Sequence, residues 1–208
     1  MIGIISVAIA YVLGSIPFAF IFAHLIRGTD IRRVGTGNAG AMNTIREVGL
    51  LPGIAVLLLD IAKGSLAVLI TQWLGAPLLF VFLAGFAAVA GHNWTPFLKF
   101  NGGRGIATTL GVILAITPLE FGISFVVILT IFLFTRSSGL AVGIGLALLP
   151  LVMWVFGREL SLILYSLALS IFLVSRNILT FSRDLAKSGS LGKLMFQKHP
   201  PLWPRKKG

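Results

Sequence analysis

Residues 1–26, MIGIISVAIAYVLGSIPFAFIFAHLI, contain no Asp, Glu, Lys or Arg. As a helix rising 1.5 Å per residue, the stretch would reach about 39 Å, enough to cross about 30 Å of hydrocarbon with tilt. A cleaved leader carries a basic segment ahead of a shorter apolar core, and this run shows neither. It reads as a membrane-spanning helix, because a lone strand in lipid leaves its backbone groups unsatisfied. Further apolar runs follow at about 50–74, 76–91, 106–117, 121–135, 140–156 and 160–174. The expectation is an all-α polytopic membrane protein with seven transmembrane helices, forming a single membrane-embedded domain over residues 1–208.

Composition agrees. Of 208 residues, 57% are hydrophobic and 11% charged, against about 45–50% and about 25% in soluble domains. The mean hydropathy is +1.00. These values exclude a soluble dinucleotide enzyme, a disordered regulator and a disulfide scaffold. There is no Cys, and His24, His92 and His199 are scattered, so neither a thiolate nor a His-cluster metal site is expected. The net charge of +11 would suggest nucleic acid in a soluble chain. Here the cations lie between apolar runs and in a basic tail from about residue 175, so no nucleic-acid partner is expected. Loops 27–49, 92–105 and 136–139 and the tail hold fifteen of the 17 Lys+Arg. That bias places them inside, with the N-terminus outside and the C-terminus cytoplasmic.

The unusual polar sequence gathers on this one face. Gly35-Thr36-Gly37-Asn38-Ala39-Gly40 spells G-x-G-x-x-G, but a dinucleotide fingerprint needs a strand before it and a soluble βαβ unit around it. Closely spaced glycines can instead turn backbone N–H groups toward an anion. Thr36, Asn38 and Asn43 add neutral donors, and Arg32, Arg33 and Arg46 add cations suited to phosphate. A second loop, Gly102-Gly103-Arg104-Gly105, runs into an apolar helix whose N-terminus would also favour an anion. His92 is a candidate general base or a structural helix-end histidine. Asp60 and Lys63 share a helix face within a span, and charged residues there are functional candidates or a buried structural pair. Arg136, Ser138 and Asn177 are weaker candidates.

These residues resemble the bacterial acyl-phosphate:glycerol-3-phosphate acyltransferases. Gly14-Ser15-Ile16-Pro17 with Asp30 to Asn43 resembles the family's first motif, and Leu59-Asp60-Ile61-Ala62-Lys63-Gly64 is similar to the second. Gly91-His92 with Phe97 to Thr108 looks like the third. Thr36 stands where the family has Ser, Arg104 where it has Lys, Thr95 where it has Pro and Val174 where it has His. The resemblance implies a cytoplasmic (inner) membrane enzyme with its site facing the cytoplasm. Such an enzyme moves a fatty acyl group from acyl phosphate to the 1-hydroxyl of glycerol 3-phosphate, making lysophosphatidate and phosphate with no metal or cofactor. Thr36, Asn38, Arg46, Arg104 and His92 are then expected to be catalytic. Gly35, Gly37, Gly40, Asn43, Asp60, Lys63, Gly102, Gly103, Gly105, Arg136, Ser138 and Asn177 are expected to bind substrate. Two other readings stay open: a permease or binding protein for phosphorylated solutes, and a divergent relative with another acceptor.

Overall fold

The structure, a computed structural model, describes residues 1–135 and 138–188, with side chains described for 1–135 and 141–176. The helices are α1 (Ile2–Ser15), α2 (Phe18–Arg27), α3 (Ala41–Glu47), α4 (Leu50–Trp73), α5 (Leu78–Asn93), α6 (Ile106–Ile116), α7 (Pro118–Thr135), α8 (Ser138–Val155) and α9 (Leu160–Ser188). No strand occurs among the described residues. Among the described residues, four stretches are long and apolar enough to cross a membrane: Ile2–Arg27, Leu50–Trp73, Leu78–Leu98 and Pro118–Thr135. Three shorter apolar helices, at Ile106–Ile116, Ala141–Val155 and Leu160–Arg176, accompany them.

The described residues divide into two compact units, one up to Ala115 and the other from Ile116 onward. In the first, α1 lies against α4 and α5. The seam is built from small residues that let backbones approach closely, the usual device where lipid removes any hydrophobic drive between helices. A Cβ on Gly14 would overlap Ala88 O, and one on Gly91 would overlap Tyr11 O. Ala10, Ala67, Ala84 and Ala88 fill the space between. Gly64 and Gly111 do the same between α4 and α6, where Ser65 Oγ donates to Gly111 O at 2.8 Å. In the second unit α8 packs on both α7 and α9. Buried Glu120, in the first turn of α7, pairs with Arg158 of the α8–α9 turn.

Three boundaries differ from the sequence reading. The first run is not one helix: Pro17, which has no N–H and disfavours a helical residue before it, separates α1 from α2 at Ile16. α7 starts at Pro118, ahead of the apolar run, and carries Glu120 within it. α9 continues through Ser188, beyond the run's expected end at Val174. The segment after Val174 (SRNILTFSRDLAKS) keeps an apolar residue every three or four positions, so the helix persists as its composition turns polar.

Candidate functional site

The break at Ile16–Pro17 leaves the last carbonyls of α1 without helical partners. Two buried donors take them: Thr95 Oγ1 donates to Ser15 O at 2.7 Å and Lys63 Nζ to Ile16 O at 3.0 Å. Tyr11 Oη adds a bond to Trp94 O at 2.8 Å. The unwound backbone lines a cavity with Ala39, Asp60, Lys63, His92, Thr95, Leu98, Gly102 and Gly103. Irregular backbone inside an apolar run is tolerated in such a place, where protein or a cavity covers it.

Three of the lining residues form an ionic cluster. Lys63 Nζ is 2.7 Å from Asp60 Oδ1 and 3.0 Å from His92 Nδ1, and His92 Nδ1 is 3.6 Å from Asp60 Oδ1. Asp60 is 2% and Lys63 3% exposed, so each charge depends on the other, as buried charges must. Lys63 also stands 5.6 Å from the Phe18 ring centroid.

Both glycine loops reach this cluster. In the second, the N–H groups of Gly102 and Gly103 donate to Asn93 O and His92 O at 3.1 Å each, which folds the loop back on the end of α5. A Cβ on Gly103 would overlap His92 Nε2 and lie 2.7 Å from Ala39 O. Glycine there lets histidine, first loop and second loop meet. Gly105, at φ +79°, opens α6, with its carbonyl accepting from Thr109 N at 2.8 Å.

The first loop is pinned by Asn43, which is 1% exposed. Its Nδ2 donates to Ile31 O at 3.0 Å and Val34 O at 3.1 Å, and its Oδ1 accepts from Thr36 N at 3.0 Å. Gly37 N and Gly40 N donate within the loop to Val34 O and Asn38 O, both at 3.0 Å. Gly35 takes φ +57° against Asn43 and Glu47. The glycine N–H groups expected to face an anion at positions 37, 40, 102 and 103 are thus spent on loop closure.

The cations divide. Arg32 is bound to Asp30 through Nε and Nη2, the latter at 2.7 Å, and donates to Leu98 O at 2.8 Å, fastening one loop to the other. Its guanidinium holds the Asp30 carboxyl below the usual carboxylate range. Arg46, on α3, is half-buried, and its Nε has no hydrogen-bond partner among the described residues. Arg104 is half-buried between Gly103 and Gly105. At the loop surface Thr36 is exposed and Asn38 half-buried.

The structure therefore brings Asp60, Lys63, His92, Gly102 and Gly103 into one cavity, with Asn43 behind the first loop. Arg136 and the side chains of Ser138 and Asn177 lie outside the described residues. Sequence reasoning missed Thr95, Ala39 and the Ser15 and Ile16 carbonyls as parts of this site. Pro17 inside an apolar run was the one local signal that could have found them.

The model of the glycerol-3-phosphate acyltransferase family matches residues 4–187. Glycerol-3-phosphate acyltransferase 2 of Moorella thermoacetica is 43% identical over 163 residues, 78% of this chain and 84% of its own. Glycerol-3-phosphate acyltransferase 2 of Dehalococcoides mccartyi is 35% identical over 198 residues, 94% of each chain. The crystal structure of PlsY (YgiH), an integral membrane glycerol 3-phosphate acyltransferase, in its glycerol 3-phosphate form superposes with a TM-score of 0.81. It is 33% identical, over 95% of this chain and 99% of that one. Apolar helices, a buried ionic cluster and these likenesses together define the class, a membrane acyltransferase. The chain belongs to the glycerol-3-phosphate acyltransferase family.

Proposed function

We propose that the protein transfers a fatty acyl group from acyl phosphate to the 1-hydroxyl of glycerol 3-phosphate, releasing lysophosphatidate and phosphate. The observation that carries this reading is the meeting of both cation-bearing glycine loops at a cavity lined by Asp60, Lys63 and His92. Both substrates are phosphates that repel each other, and the acyl chain of one belongs in lipid. A cavity at membrane depth beneath basic loops suits that pair.

The donor is already activated, so a covalent enzyme intermediate is unnecessary. The acceptor hydroxyl attacks the acyl carbonyl carbon, the bond from that carbon to the phosphate oxygen breaks, and phosphate leaves. A substrate phosphate oxygen takes the hydroxyl proton. What remains for the protein is neutralising charge and aiming one group at another, which is catalysis by orientation. Arg46 and Arg104 serve as the phosphate-facing cations, and Thr36 and Asn38 as neutral donors of the first loop. No metal or cofactor is needed. The enzyme spans the cytoplasmic (inner) membrane seven times with its loops facing the cytoplasm, and draws the acyl chain from membrane lipid.

Purified protein given palmitoyl phosphate and glycerol 3-phosphate should form lysophosphatidate, and should not do so with palmitoyl-CoA as donor. Flux of labelled glycerol 3-phosphate across liposomes without acyl transfer would replace this reading with transport.

A further inference from the structure

His92 has two ring nitrogens, and the structure gives each a different neighbour. Nδ1 lies 3.0 Å from Lys63 Nζ, within hydrogen-bond range, and 3.6 Å from Asp60 Oδ1, outside it. An ammonium only donates, so Nδ1 must accept, and the ring proton then sits on Nε2. Lys63 is committed on three sides, to Asp60 Oδ1, Ile16 O and His92 Nδ1, at 2.7, 3.0 and 3.0 Å. These three partners come from α4 itself, the α1 break and α5, so two of the three belong to elements distant in sequence. Nε2 is turned the other way, toward Gly103 and the neighbourhood of Ala39 O, in a residue that lines the cavity.

We propose that His92 acts as a neutral hydrogen-bond donor, offering Nε2–H to an oxygen of the substrates in this cavity, and that Lys63 and Asp60 are positioning residues that hold this tautomer. A nitrogen that already carries a proton takes none from the acceptor hydroxyl, so His92 is not the general base. The oxygen it meets has two sources, the carbonyl oxygen that gains charge as the acyl group is attacked, or a phosphate oxygen. The inference rests on the acyl-transfer reading above.

Two measurements test it. Ring-15N-labelled full-length protein in detergent, with the His92 signals assigned by their loss in His92→Gln, should show the proton on Nε2 and an unprotonated Nδ1. A proton on Nδ1, or on both nitrogens, overturns the proposal. This spectrum needs no turnover, so it is told apart from a failure of the acyl-transfer reading. In the palmitoyl phosphate assay, His92→Ala should lose about 100-fold or more, the scale for removing one such donor. His92→Gln, which keeps an N–H donor but is no base, should recover at least about a tenth of wild-type turnover and keep the acid limb of the pH profile. Loss confined to kcat assigns the acyl oxygen, and a raised KM for one substrate assigns that substrate's phosphate. Lys63→Met should lower turnover and move the ring proton toward a mixture of the two nitrogens. A His92→Gln enzyme as inactive as His92→Ala, with the wild-type acid limb lost, would restore the base and overturn the proposal.

Discussion

At the scale of single residues, polar side chains here divide into those that hold the site and those that face out from it. Asn43 is of the first kind. All three of its hydrogen bonds go to the first loop's backbone, so Asn43→Ala strands one N–H and two carbonyls near the protein interior. Each such loss costs about 1–3 kcal/mol. The variant should melt at lower temperature in detergent and show a raised KM, whereas an unchanged melting temperature would take Asn43 out of this role. Arg104 is expected to be of the second kind, set between Gly103 against His92 and Gly105 at the start of α6. Arg104→Ala should cost about 2–5 kcal/mol, as truncating one partner of a charge pair does. That is about one and a half to three and a half decades in rate at 1.4 kcal/mol per decade. Arg104→Lys keeps the charge without the planar fork and should be far milder. Near-wild-type turnover by a correctly inserted Arg104→Ala enzyme would remove the residue from the phosphate site.

At the scale of elements, the deciding feature is the α1–α2 break, and it shows where sequence reading succeeds and stops. Charge-free runs gave the helices, because lipid admits no other lone spanning element, and the glycine loops stood out as polar sequence between them. The pairing of Asp60 with Lys63 was legible too, since it is fixed by i,i+3 spacing on one helix. Bonds between Thr95 and Ser15, 80 residues apart, or Lys63 and Ile16, 47 apart, have no local signature. Loop glycines looked like anion ligands for the same reason. Nothing in G-x-G or G-G-R-G says that the amides of Gly102 and Gly103 close on Asn93 and His92 carbonyls. The break can be tested directly. Thr95→Val keeps shape but removes the donor to the buried Ser15 carbonyl, so it should destabilise the protein by about 1–3 kcal/mol. An enzyme as heat-stable as the parent would show that this bond does not fasten α1 to the end of α5.

At the scale of the whole molecule, the protein's cations mark its sidedness. α4 runs 24 residues from Leu50 to Trp73, about 36 Å at 1.5 Å per residue, longer than the hydrocarbon it must cross. Its two ends therefore belong on opposite sides. Before it, residues 27–49 hold four Lys+Arg, and the short turn after it, at Leu74–Ala76, holds none. By the positive-inside rule the first glycine loop is expected on the cytoplasmic side and the turn on the opposite side. Because the chain has no Cys, single cysteines can report this without a background to remove. A membrane-impermeant maleimide added to intact cells should label Leu74→Cys, at the C-terminal end of α4. It should label Arg33→Cys, in the first loop, only after permeabilisation. Lys99→Cys, in the second loop, should behave as Arg33→Cys does, since both loops meet at one cavity. Labelling of positions 33 and 74 from the same side would break the span assigned to α4. Labelling of 33 and 99 from opposite sides would separate the two loops, and a site that needs both could not then form.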